Sequence, residues 1–176
     1  MTLRSFKNHD LFIVSQALDI AEDRTGDFFK FSLDQWKRHR YDVKTLSSLK
    51  DNEICENAFA LLNRGSRVLS RYDSKTKKRD FFFICIQDHQ VLKAMTRDSQ
   101  LSLLSLLAYV FTHELVHIVR FSNFLKRFEI SERERKKEEK IVHETAFEIL
   151  KDISLPKLDY VLESYRGHRV CDMALS

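Results

Sequence analysis

The chain has 176 residues, a length that suits one domain around a single hydrophobic core. It contains only 3 Gly and 1 Pro, and 32% of its residues are charged, which favours a mainly helical protein with a well-solvated surface. The net charge of +4 is too small to demand a nucleic-acid partner, and the aromatic residues form no base-stacking pattern. We therefore expect no nucleic-acid ligand.

The cysteines indicate a reducing environment. Cys55, Cys85 and Cys171 are widely spaced and form no Cys-x-x-Cys pair, which argues against a disulfide framework and a cysteine zinc site. Residues 1–10 are polar, and the apolar patch that follows is interrupted by charges, unlike a signal peptide or a membrane span. The sequence thus predicts a cytoplasmic protein that does not bind a membrane.

Three helices are predicted before the middle of the chain. Apolar residues at helical spacing predict helices over 11–21 and 54–62, and a less regular pattern suggests another within 28–49. Gly26 and Gly65 stand where the first and the last of these helices would end. These residues would form a helical N-terminal part.

One strand is predicted over 80–88. Phe81 to Ile86 form a short apolar run rich in aromatic and β-branched residues, and a polar turn precedes it. The excess of basic residues lies just before this strand, between Arg64 and Arg79, and is interpreted as a solvated loop.

The apolar stretch 101–119 contains three residues of a different kind, His113, Glu114 and His117. Two histidines four apart on a helix lie on the same face, so their ring nitrogens can converge on one zinc ion. A glutamate between them can accept a proton from water whose pKa the metal has lowered. A core helix with two hydrogen-bonded histidines is the alternative, although burying these groups without a metal costs several kcal/mol.

A second long helix is predicted from Ser131 to about Ile153. Ser131 and Glu134 have the spacing of a capping box, and Pro156 follows the end of the helix. The charge run over 132–140 is interpreted as a solvated face. From residue 141 onward an apolar stripe predicts that the helix packs on the core.

This second helix is where a third metal ligand is expected, since a catalytic zinc usually has three protein ligands. Glu139 falls within the apolar stripe, and His143 lies on its border one turn later. Glu144 points toward solvent instead. The third ligand is therefore Glu139 or His143.

The motif and its neighbours resemble the active-site helix of the zincin metallopeptidases. In that family the positions around His-Glu-x-x-His are uncharged and mostly hydrophobic, and the residues that match here are Val110, Phe111, Thr112, Leu115, Val116, Ile118 and Val119. No His-x-x-Gly-x-x-His extension follows His117, which argues against the metzincin branch. Glu139 followed by His143 is similar to the Glu-x-x-x-Asp element of the gluzincins, which include thermolysin and the minigluzincins. His143 stands where that branch often has Asp, so both ligand assignments remain open.

The resemblance implies one zincin-like domain over 1–176, of the α+β class and mainly helical, with a small sheet beside the motif helix. The metal-site core would cover 81–153, whereas 1–70 matches no family that we can name. An extended peptide adds to a sheet edge in zincins, so 80–88 is a candidate edge strand, with a plain core strand as the alternative. Asp88 and His89 are candidates for contacts to a ligand histidine.

The function implied is zinc-dependent hydrolysis of a peptide or protein substrate, with Glu114 as the general base. Tyr160, Tyr165 and His168 are chemically suited to stabilise an oxyanion, although their spacing selects none of them. The segment 121–130 joins the two metal-bearing helices and is a candidate lining of the substrate cleft. The alternatives are a metal-binding regulatory protein on the same scaffold without general protease activity, and a helical interaction domain with structural histidines.

Overall fold

A computed structural model describes residues 2–32, 36, 41–67, 79–122, 131–165 and 171–173. These residues form an α+β, mainly helical architecture. Its helices are α1 (Asn8–Phe29), α2 (Asp88–Arg97), α3 (Leu103–Ser122), α4 (Glu132–Leu150) and α5 (Leu158–Tyr165). Its strands are β1 (Tyr41–Lys44), β2 (Ala60–Arg67), β3 (Arg79–Ile86) and β4 (Cys171–Met173).

The strands form one mixed sheet in the order β1-β3-β2-β4. β2 and β3 pair antiparallel, whereas β1 pairs parallel to β3 and β4 pairs parallel to β2. Ile84 of β3 lies opposite both Val43 and Leu62, and Leu62 and Ile84 are fully buried. The strand predicted over 80–88 is thus confirmed, but it lies inside the sheet. The edge-strand hypothesis is wrong, and the core-strand alternative is correct.

Helix α3 is the centre of the fold. The helices α1, α4 and α5 pack against it, and β2 and β3 contact it from the sheet. By length and composition alone α3 could cross a membrane, yet 83% of its apolar window is buried inside the fold, as in a core helix. The residues of the motif are therefore enclosed by packing on several sides.

The sequence predicted that helix α1 ends at Gly26, and this prediction is wrong. The helix continues to Phe29 and ends where Lys30 adopts a left-handed conformation with φ 56°. Gly26 is buried, and a Cβ atom at this position would lie 2.6 Å from Nε1 of the Trp36 indole. The glycine therefore makes room for a side chain rather than ending the helix.

Of the two other helices predicted in the N-terminal part, the one over 54–62 is wrong. Within 28–49 the structure shows the end of α1, a helical Trp36, strand β1 and a short 3-10 turn over Leu46–Ser48. Because 33–35 and 37–40 lie outside the described residues, the helix suggested in this stretch stays a prediction. Within 54–62 the structure shows the start of β2 instead of a helix. Cross-strand pairing with β3, which is distant in sequence, overrides the helical spacing of these apolar residues.

Gly65 lies within β2 and does not close a helix. It pairs with Phe81, and a Cβ atom there would come within 3.2 Å of the Phe83 ring. The stretch between Arg64 and Arg79 was predicted to be a basic loop. Its beginning, up to Arg67, belongs to β2, and its last residue, Arg79, belongs to β3. Residues 68–78 lie outside the described residues.

Asp88, at the start of α2, ties two distant segments to this helix. Its Oδ2 accepts a hydrogen bond from the backbone N–H of Phe6 at 2.8 Å, and its Oδ1 accepts one from that of Leu46 at 3.0 Å. Burial raises the pKa of the Asp88 carboxyl, although these hydrogen bonds oppose the shift. The neighbouring His89 has Nε2 3.7 Å from Glu56 Oε1. The contacts described for these two candidates are thus to Phe6, Leu46 and Glu56 and not to a motif histidine.

We expect Asp88→Ala to lower the free energy of unfolding by about 2 to 4 kcal/mol, because two backbone N–H groups lose their acceptor. Urea unfolding followed by circular dichroism measures the change. Asp152→Ala, at an exposed turn after α4, is the control and should change stability by less than about 0.5 kcal/mol. Equal stability of the two variants would contradict the anchoring role of Asp88.

Candidate metal centre

One face of α3 carries the aromatic and imidazole rings at intervals of four residues. Tyr109, His113, His117 and Phe121 share this face because a helix brings residues i and i+4 together. All four are buried, and the His117 ring stacks on Phe121 at 5.7 Å between centroids. The packing of α3 therefore fixes the orientation of both motif histidines.

Helix α4 brings the two other predicted ligands to this face. Its capping box is confirmed, since Ser131 Oγ accepts a hydrogen bond from Glu134 N and Glu134 Oε2 accepts one from Ser131 N. Glu144 is exposed, as predicted. Glu139 and His143, one turn apart, face α3 and contact the motif histidines.

The carboxylate of Glu139 lies among three imidazole rings. Glu139 Oε2 is 3.2 Å from His113 Nε2 and 3.8 Å from His143 Nε2. Glu139 Oε1 is 3.0 Å from His117 Nε2. Each of the three histidines thus has Nε2 within 3.8 Å of the same carboxylate.

These separations are compatible with ligands of one metal ion. Donor atoms at zinc distances from a tetrahedral centre lie about 3.3 Å from one another. Donor atoms of His113, Glu139 and His143 all lie within 4.8 Å of each other, which makes these residues a group able to hold a metal ion. His117 adds a fourth nitrogen next to Glu139.

The surroundings of the His117 ring indicate whether the cluster is suited to a metal ion. Its ring is fully buried, and within the described part of the chain neither ring nitrogen makes a hydrogen bond of acceptable geometry. The 3.0 Å approach of Nε2 to Glu139 is a contact without that geometry. A buried polar atom without a hydrogen bond is costly, and a metal ion beside Nε2 would satisfy it.

The ionisation states of the cluster follow from burial and its mutual contacts. Burial lowers the pKa of His113, but hydrogen bonds to Glu114 and Glu139 outweigh this and raise it to about 9. Burial raises the pKa of Glu139, yet contacts with His113 and His117 hold it well below its usual range. Burial, with the nearby charge of His113, lowers the pKa of His143 to about 4. An ionised Glu139 and a neutral His143 are already in metal-binding form, whereas His113 must release a proton.

Glu114 lies on the other side of the His113 ring. It is fully enclosed, with Oε1 3.3 Å from His113 Nδ1. With hydrogen on Nδ1, His113 donates to Glu114 and keeps the Nε2 lone pair for a metal. Glu114 Oε2 is buried and has no hydrogen-bond partner among the described residues.

A buried ion pair joins α3 to α4 beside the cluster. Arg120 donates from Nε to Glu138 Oε1 at 2.5 Å and from a terminal nitrogen to Oε2 at 3.0 Å. Glu138 is fully buried, and Arg120 lies three residues after His117. Since Glu138 precedes Glu139, this two-point contact fixes the register in which α4 presents its ligands.

Sequence reasoning missed two contributors to the site. Tyr109 lies one turn before His113, and its hydroxyl is 2.7 Å from His143 Nδ1. The four-residue spacing could have identified it. Glu138 was assigned to the solvated charge run, although it precedes the buried Val142 by four residues and so falls on the apolar stripe.

The residues considered for the oxyanion role lie elsewhere or outside the described structure. Tyr160 donates its hydroxyl to Asp98 Oδ2 at 2.6 Å, and Tyr165 packs edge-on against Phe59. His168 lies outside the described residues, as does most of the segment 121–130 that was a candidate lining of the cleft. The tyrosine observed at the cluster is Tyr109.

The side chain of Cys85 is buried in β3. It is a free thiol. Burial raises the pKa of Cys85 to about 12. Such a thiol stays protonated at neutral pH and is a poor metal ligand.

Comparisons of the chain with protein-family models, curated proteins and solved structures gave no significant match. The resemblance to the zincins thus rests on the His-Glu-x-x-His motif and its surroundings, and family membership stays a prediction. The arrangement of the four side chains is a separate observation, because it results from the packing of α4 on α3.

We expect Arg120→Ala to lower the free energy of unfolding by about 3 to 5 kcal/mol, because it leaves the buried Glu138 carboxylate unpaired. Chemical denaturation is the measurement. The control is Lys151→Ala, which breaks a surface ion pair with Glu148 and should cost no more than about 1 kcal/mol. A loss for Arg120→Ala no larger than that of the control would refute the structural role of the buried pair.

Proposed function

We propose that the protein is a zinc-dependent metallohydrolase of the zincin type, most specifically a peptidase acting on peptide or protein substrates in the cytoplasm. The observation that supports this most directly is the convergence of three histidine nitrogens on the Glu139 carboxylate at 3.0 to 3.8 Å. Imidazole and carboxylate are donors that zinc accepts. The motif residues His113 and His117 would hold the ion, with Glu139, His143 or both completing the site.

A bound zinc ion would supply Lewis-acid chemistry, lowering the pKa of water and polarising a substrate carbonyl. The protein groups around it have separate tasks. Glu114 would take the proton of the attacking water on Oε2 and return it to the leaving amine. Its Oε1, next to His113 Nδ1, would hold that ring in the tautomer that exposes Nε2.

The enclosure of the cluster would exclude bulk water from the reaction. His113, Glu114 and His117 have no solvent-accessible surface, whereas the Glu139 side chain is 22% exposed. A substrate would therefore approach from the side of α4. In this low-dielectric setting the charge on Glu114 acts more strongly on a nearby proton than it would in water.

A metal-binding regulatory protein without general protease activity is the second candidate. The observation that favours it is the position of Glu114, which is fully buried and engaged with a histidine ring. In this role Glu114 would only orient His113, as carboxylates do beside many metal-bound histidines. The two candidate functions predict different effects of removing the Glu114 carboxylate. A peptidase would lose hydrolysis and keep its metal, whereas a regulatory protein would bind the metal more weakly.

We expect protein purified without an affinity tag to contain near-stoichiometric zinc, and His117→Ala to lose most of it. The reason is that His117 provides one of the donor nitrogens beside Glu139. Inductively coupled plasma mass spectrometry measures the metal content. His89→Ala is the matched control, because His89 is a buried histidine on α2 and should leave the metal content unchanged. Wild-type protein without any bound metal would refute the proposal.

We expect Glu114→Gln to keep the metal and to lower peptide hydrolysis by at least about 100-fold. The amide oxygen of glutamine can still accept from His113 Nδ1, but glutamine cannot take a proton from water. Cleavage of a proteome-derived peptide library, analysed by mass spectrometry, is compared between the variants. Glu148→Gln, an exposed change on α4, is the control and should cleave like the wild type.

Cleavage by Glu114→Gln at the wild-type rate would rule out Glu114 as the base. Wild-type protein that binds zinc and cleaves no peptide would favour the regulatory candidate instead. A strong loss of metal affinity in Glu114→Gln would assign the residue an orienting role.

A further inference from the structure

The position of His143 is not explained by a site with three protein ligands. If Glu139 were the third ligand beside His113 and His117, His143 would lie next to the ligands without binding the metal. Its ring nevertheless lies 4.6 Å from that of His113 between centroids, and its Nε2 is 3.8 Å from Glu139 Oε2. His143 belongs to the same group of mutually close donor atoms as His113 and Glu139.

Tyr109 holds the His143 ring in this position. The tyrosine hydroxyl is 2.7 Å from His143 Nδ1, and both side chains are buried. When Nδ1 carries the hydrogen and donates to Tyr109, the lone pair of Nε2 is directed at the cluster. Metal-bound histidines characteristically donate their other ring N–H to such a fixed partner. Tyr109 therefore has the geometry of a positioning residue for a ligand.

We propose, on the basis of the metal site proposed above, that Glu139 and His143 both bind the metal, together with His113 and His117. The centre then has three imidazoles and one carboxylate, and His143 fills the position that a catalytic zinc leaves open to water. The sequence left open whether Glu139 or His143 is the third ligand, and in this proposal both residues are ligands.

In this arrangement the His143 ring controls access of other ligands to the metal. The motif residues of α3 are inaccessible to solvent, whereas Glu139 and His143 on α4 are the members of the cluster that solvent reaches. A water or a substrate carbonyl gains access to the metal only when the His143 ring leaves. The resting protein is therefore closed to added ligands, and activity depends on displacement of the His143 ring.

The test uses full-length protein loaded with Co(II), whose visible absorption depends on coordination number and donor type. Imidazole is added as the probe ligand. We expect the wild-type spectrum not to respond to imidazole. We expect His143→Ala to bind Co(II) at least about tenfold more weakly, to show a changed spectrum, and to recover a wild-type-like spectrum when imidazole fills the vacated position.

Two further variants make the result specific. Glu144→Ala, the adjacent exposed position on α4, should match the wild type in affinity and spectrum. Tyr109→Phe should keep the wild-type spectrum but allow imidazole to change it, because the His143 ring has lost its anchor. If circular dichroism shows that His143→Ala is unfolded, His143→Gln replaces it with the same expected outcome.

The possible failures are distinguishable. Wild-type protein that binds neither zinc nor Co(II) would overturn the proposed function and this inference together. Wild-type protein that binds Co(II) and responds to imidazole, or a His143→Ala spectrum identical to the wild type, would overturn the role of His143 alone. An imidazole-insensitive Tyr109→Phe would overturn the positioning role of Tyr109.

Discussion

Three buried histidines surround the partly buried Glu139 where α4 packs on α3, and burial of such groups is unfavourable unless charges and hydrogen-bonding atoms are matched. The Glu139 carboxylate supplies much of this matching, since each of the three imidazoles has a nitrogen within 3.8 Å of it. The match is incomplete, because His117 contributes two ring nitrogens without acceptable hydrogen bonds among the described residues. A metal ion is the partner whose chemistry fits this donor set, and the rest of the fold holds the donors in place.

The two helices contribute in different ways. Helix α3 is a core helix whose four-residue spacing lines up two ligands with a tyrosine and a phenylalanine. Helix α4 is amphipathic, and its single turn from Glu139 to His143 completes the cluster. The Arg120–Glu138 pair connects these helices next to the ligands. Because this pair is buried and two-pronged, a rotation of α4 that moved Glu139 away would also separate an arginine from its carboxylate.

The sheet contacts the site through stacked aromatic rings. Phe82 on β3 stacks on Phe121 of α3 at 6.3 Å between centroids, and Phe121 in turn stacks on His117. The interior position of β3 means that it cannot accept an added peptide strand. Within the described residues, β1 and β4 are the outer strands. Aromatic packing therefore connects the sheet to the His117 ring.

The sequence by itself determined the features that depend on neighbours along the chain. It located the motif helix, the capped helix from Ser131, the solvent-facing Glu144 and the apolar strand, because helical spacing and capping are local properties. It failed for residues 54–62, whose conformation depends on pairing with a distant strand. Only the tertiary structure placed β3 inside the sheet, gave Glu138 a partner on α3 and joined Tyr109 to His143. These contacts link segments that sequence spacing does not relate, so packing alone decided them.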